Sequence, residues 1–182
     1  ALDNAAKGKA IVLDLRDNPG GDLRQVIAMA QLFLDRGIIV QLIQRDGDRM
    51  VTITNQISPI DFRATVETSD GFSMTKLGNR LERVVPVNMP VIVLINDNSA
   101  SASEILAGAL QANGRALTVG EPSHGKGVGQ TVVPLPFGRN MHVTSFEFRP
   151  GAEVMDWVGI VPDVEIKLPD DANPLDEPNT DN

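Results

Sequence analysis

Two groups of residues in this chain have the types and spacing for covalent chemistry. The first is the run SASASEI, with Ser99, Ser101 and Ser103; the second is GEPSHGKGVGQ, which carries Lys126 between glycines. A serine hydroxyl attacks a carbonyl only when a neighbouring base takes its proton. The bases available are Lys126 and the only two histidines, His124 and His142. Ser101 stands where an apolar strand gives way to a helical stretch. Backbone amides and the positive end of a helix dipole therefore lie beside it, suited to an oxyanion. Its alanine neighbours leave room for a substrate backbone. The same residues also have a plainer use, because Ser101-Ala-Ser-Glu104 is a capping box.

The second group reads almost as a phosphate-binding loop: Gly120, four residues, then Gly125-Lys126. Such a loop needs glycine amides around the phosphates, a hydroxyl after the lysine for Mg²⁺, and a following helix. Gly127 stands where the hydroxyl should be, and GVGQTVVPLP is too β-branched and proline-rich for a helix. Two of the three requirements fail, so no nucleotide site is expected.

Composition narrows the classes further. The chain has 182 residues, 42% of them apolar, enough for one domain with a real core. A net charge of −8 without a basic cluster argues against a nucleic-acid partner. The absence of cysteine excludes thiol nucleophiles, thiolate metal sites and disulfides, and two histidines are too few for a His-rich metal site. No apolar run is long enough to span a membrane. The opening residues ALDNAAKGKA have no signal-peptide pattern, in a chain that reads as an excised portion.

The elements that must position these residues follow from periodicity. AIVLDLR is a strand running into the turn DNPGG, Asp17–Gly21. DLRQVIAMAQLFLDRG places Leu23, Val26, Ile27, Ala30, Phe33 and Leu34 on one helical face, with Gly37 as its stop. IIVQLIQRDGDRMVTIT reads as a hairpin around Asp46-Gly47. PVIVLIN is a strand leading to the serine, and the following helix ends at Asn113-Gly114. ALTVG, QTVVPLP and NMHVTSFEFR are three more strands. Residues 55–88 have weak periodicity and read as a surface insertion, with GNRLERV as a short helix. The acidic, proline-rich tail 169–182 reads as disordered. Alternating strands and helices make the domain α/β.

Four blocks in series, LDLRDNPGGDL, NDNSASASEILAGALQANGRA, VGEPSHGKGVGQ and GIVPDVEI, together resemble the core of the carboxyl-terminal processing peptidases. These are tail-specific serine peptidases with a Ser–Lys dyad. The likeness covers most of residues 8–168, with 44–88 outside it, and Lys126 follows Ser101 by the family's 25 positions. The resemblance implies a ClpP/crotonase-like fold: a β-rich α/β core of spiral ββα units with helices packed on the sheets. Residues 1–168 would form this core, with 44–88 a hairpin plus surface insertion.

By motif, the resemblance makes Ser101 the nucleophile, Lys126 the general base and Gln130 the amide that orients the lysine. The Ala102 N–H and one from Gly20-Gly21 would form the oxyanion hole. It implies no metal and no cofactor, a protein or peptide substrate, and a compartment such as the bacterial periplasm or cell envelope, or a thylakoid lumen. The family's N-terminal segment and PDZ domain are not recognisable in these residues, so association with such a part, or with a second copy, is expected. A lysine base must be neutral to act. An ordinary lysine, with a pKa of about 10.4, is neutral in only ~1 molecule in 1,000 near pH 7.4. Desolvation must supply the difference, so no carboxylate should touch its Nζ. Ser123-His124 replaces the family's usual Thr-aromatic pair, and Ala112 replaces a common Asp. The alternative reading is a non-catalytic ligand- or peptide-binding module on the same fold, and an esterase would use the same machinery.

Overall fold

In the computed structural model, residue 4 and residues 7–155 and 158–167 are described. The tail expected to be disordered lies outside them. The fold is mixed α/β with sheets dominant. Strands β1 (Ile11–Asp14), β6 (Val91–Ile95), β7 (Leu117–Gly120) and β10 (Val164–Glu165) form a parallel sheet in the order β1-β6-β7-β10. A second, antiparallel sheet has the order β5-β4-β3-β2-β9-β8. Its strands are β2 (Gly37–Asp46), β3 (Arg49–Ile57), β4 (Phe62–Thr68), β5 (Ser73–Gly78), β8 (Val128–Leu135) and β9 (Arg139–Pro150).

Two helices join the layers. Helix α1 (Leu23–Phe33) is capped by Asp22, whose carboxylate accepts from the Arg24 and Gln25 amides. Helix α2 (Ala102–Ala112) follows β6 and packs against α1, β2, β9 and β7, so that Ala102 through Leu110 are all buried. A helix apolar on every side belongs in a core. Ile105, Leu106, Ala109 and Leu110 meet Val93, Ile95, Phe33, Val40 and Phe148 there. No described helix is long and apolar enough to cross a membrane.

Three expectations are corrected. Helix α1 ends at Phe33 rather than running on to Gly37. The Phe33 and Leu34 carbonyls, which another turn would use, accept instead from Arg115 and Arg80. Gly37 has φ +115 for a different reason: a β-carbon there would overlap the Asn113 side chain at 1.7 Å. GNRLERV is not helical. It runs extended along α1, with the Leu81 amide on Gln31 Oε1 and the Val84 and Val85 amides on the Leu32 carbonyl. Residues 55–88, whose periodicity looked weak, are not irregular either: β4 and β5 extend the large sheet beyond β3 in continuous register.

Candidate active site

Ser101 is the hinge between β6 and α2, with φ 57 and ψ −116. This is a strained conformation for a residue with a side chain. A sharp strand-to-helix turn of this kind presents a side chain outward, and proteins use it for nucleophiles. The hydroxyl lies in capping-box position over the Glu104 amide without a full hydrogen bond to it. As the first helical residue, Ala102 has an N–H with no partner inside the helix.

Glu104 binds the two halves of the site together. Its side chain is fully buried, and every partner donates to it. Oε2 accepts from the Ser101 amide at 2.7 Å and the Lys126 amide at 3.1 Å. Oε1 accepts from the Ser123 hydroxyl and the Gly125 amide, both at 2.7 Å. The cap expected of Glu104 is present, and the same carboxylate also anchors the lysine turn. The hydroxyl of Ser123 is fully used, since it accepts from the Ile160 amide at 2.7 Å as well. The GIVPDVEI block thereby backs the lysine turn, and Asp163 fastens it to Thr118 on β7. His124 is exposed at the outside of this turn.

Ser101, Lys126, Gln130, Gly21 and Ala102 line one cleft of about 710 Å³, together with His142. Its floor is apolar: Leu23, Ile105, Val128, Phe146 and Phe148. Lys126 is half-buried and makes no ion pair among the described residues. Glu104 meets its backbone amide, and Glu121 is likewise not paired with its ammonium. Gln130 is exposed in the cleft wall beside a β-bulge at Gly129/Gln130. Such bulges re-aim side chains. Its carboxamide makes no hydrogen bond to Lys126 in this structure.

The two glycines of the DNPGG turn have different positions. The Gly20 amide donates to Asn18 Oδ1 at 3.0 Å, whereas Gly21 faces the cleft beside Ser101 and Ala102. Gly20 has φ +102, and a β-carbon on it would come within 2.9 Å of Ser101 Cβ and 2.7 Å of the Ala102 nitrogen. Only glycine allows this approach. Gly20→Ala should therefore cost about 1–3 kcal/mol in urea unfolding, from positive φ alone, and more from the clash. A variant as stable as the parent would show that the two turns can separate freely.

The sequence shows Glu104 only as a local cap and Ser123 only as a replacement for the family's usual Thr. The available signal was a carboxylate inside the otherwise apolar run ASEILAGAL. A buried carboxylate requires donors, and the glycine-rich turn 120–129 offers unpaired amides.

Comparison with known proteins identifies the family. Residues 1–166 match the model of peptidase family S41. Carboxyl-terminal-processing peptidase 2, chloroplastic, of Arabidopsis thaliana is 39% identical over 155 residues, which is 85% of this chain and 25% of that protein. The carboxyl-terminal-processing protease of Picosynechococcus sp. is 40% identical over 153 residues, 84% of this chain and 30% of that protein. The chain thus spans between a quarter and a third of these relatives. Among solved structures, the photosystem II D1 C-terminal processing protease superposes with a TM-score of 0.66 at 29% identity, covering 92% of this chain and 37% of that one. The chain belongs to peptidase family S41.

Proposed function

We propose that this chain is the catalytic core of a serine endopeptidase that cuts unstructured protein segments near their C-termini through a Ser101 acyl-enzyme. One observation carries the reading. Ser101 is held in a strained turn at the start of a buried helix, and Lys126 lines the same cleft. A module that only bound ligand would have no use for a strained, outward-facing serine.

Neutral Lys126 takes the Ser101 Oγ proton as the oxygen attacks the peptide carbonyl. The Gly21 and Ala102 amides donate to the tetrahedral oxyanion. The intermediate collapses with C–N cleavage, and Lys126 returns the proton to the leaving amine. A water then attacks the ester with Lys126 again as base, which frees the acid and restores Ser101. Gln130, in the cleft wall four residues beyond Lys126, orients the lysine side chain. The apolar floor receives an apolar side chain next to the scissile bond.

The test is to incubate the chain with an unstructured peptide ending in apolar residues, quench it in acid, and measure peptide and protein masses. Cleavage products are expected, with an acyl adduct on the Ser101-containing fragment. A folded chain giving neither, with the full-length gene product equally inert, would sink the reading.

A further inference from the structure

The turn carrying Gly21 and the turn carrying Ser101 come from distant parts of the sequence, and one exposed carboxylate joins them. Asp17 Oδ1 accepts from Asn96 Nδ2 at 2.9 Å and from Asn98 Nδ2 at 3.0 Å. The Asp17 amide donates back to Asn96 Oδ1 at 2.9 Å, and that oxygen also receives the Asn98 amide at 3.2 Å. Next to this ring, the Ala100 amide donates to the Asn18 carbonyl at 3.0 Å, and buried Ser99 donates to the Leu15 carbonyl at 2.7 Å. Asp17 itself has φ 58, a conformation that Asp and Asn adopt more readily than other side chains. This strained residue has no role in the proposed chemistry, yet it makes three bonds across the gap between the turns.

We infer that Asp17 is a positioning residue: through Asn96 and Asn98 it locks the Gly21 turn against the Ser101 turn, and so fixes the spacing of the two oxyanion amides. The inference rests on the peptidase reading above. The side chain's share of the lock works by acceptance alone. Both asparagines spend a donor on one oxygen, so any side chain with an acceptor in that place keeps the turns together, and one without it does not. The groups facing Asp17 are Arg16 and Asp14 from its own strand end and the neutral Asn96 and Asn98 from the β6 end. Hydrogen bonds from Asn96, then Asn98, hold the Asp17 carboxyl below the usual carboxylate range. A depressed carboxyl contributes fully above its unfolded value and loses that contribution as pH falls through its folded value. The lock is therefore tightest at neutral pH and loosens in acid, where the neutral carboxyl keeps a single carbonyl acceptor.

Asp17→Gly keeps the positive φ and removes the acceptor, while Asp17→Asn keeps both. Against a peptide substrate, Asp17→Gly should lower kcat by about 10–100-fold with KM nearly unchanged, the scale expected for displaced transition-state donors. Asp17→Asn should restore kcat to within about threefold. A purely structural role would instead lower the folded fraction and spare kcat per folded molecule. Independently of activity, ¹⁵N NMR spectra of the parent should show the Asn96 and Asn98 side-chain amides and the Gly21 and Ala102 backbone amides shifting together on acidification. The same signals should be displaced at neutral pH in Asp17→Gly. Gly21 and Ala102 signals unmoved in Asp17→Gly, or an Asp17→Gly variant with the parent's kcat, would overturn the inference. An inert parent enzyme would count against the Ser101 chemistry instead, and the amide signals alone would then decide the lock.

Discussion

Lys126→Ala is expected to lower kcat/KM for a peptide substrate by about 10⁴-fold or more, while the fold stays within about 1 kcal/mol of the parent. The two halves of this expectation have separate grounds. Without a base, Ser101 Oγ must attack as an alcohol, and what remains is the contribution of the oxyanion amides and substrate binding. The fold is spared because the Lys126 side chain is half-buried and unpaired among the described residues, and the turn is held by its backbone amide on Glu104. Lys126→Arg should be equally inactive. A guanidinium keeps its charge at any usable pH and cannot accept the serine proton. Steady-state kinetics with circular dichroism on the three proteins checks both halves. If either variant kept more than about a tenth of the parent rate, the base would have to be sought in His142, the one histidine lining the same cleft.

How far the sequence carries towards this site depends on the range of each interaction. Helix α1, helix α2 with its capping box, and the β2–β3 turn at Gly47 were legible because period and capping are local. So were Ser101 and Lys126, whose motifs lie within a few residues of them. Strands β4 and β5 were not. β5 (SMTKLG) gives no apolar alternation because this sheet edge is wet. Phe62, Ala64 and Val66 of β4 do alternate with polar residues but lie in a stretch dense with turn formers. Gly37 and Gly20 looked like ordinary stop and turn glycines. Their real constraints are Asn113 and the Ser101 turn, each some 80 residues or so away in the chain. The Asp17 ring has the same span, closing over 79 and 81 positions. Short-range geometry is written in patterns, whereas contacts at that distance are written only in residue types that look unremarkable alone.

Glu104 shows what that difference implies for stability. Glu104→Ala should destabilise the domain by on the order of 4 kcal/mol, as read by urea unfolding, and should also abolish activity. Four donors lose their acceptor at once: the amides of Ser101, Gly125 and Lys126, and the Ser123 hydroxyl. Each buried donor left unpaired costs about 1–3 kcal/mol, and water entering the vacated space recovers only part of it. Glu104→Gln separates hydrogen bonding from shape. Its single oxygen can keep the Ser101 and Lys126 amides if its NH₂ takes the Oε1 position. There the Ser123 hydroxyl can turn to accept, but the Gly125 amide is left facing another donor. The glutamine variant should therefore lose less, about 2–3 kcal/mol, because two donors rather than four, the Gly125 N–H and the Ser123 O–H, lack an acceptor. Activity should follow the same order, Gln above Ala, because Ser101 and Lys126 share their anchor through Oε2. If Glu104→Ala unfolded at the parent's urea midpoint, the carboxylate would not be what holds the serine and lysine turns together. If Glu104→Gln were the worse of the two, an NH₂ held against the Gly125 amide would cost more than a vacated space that water can enter.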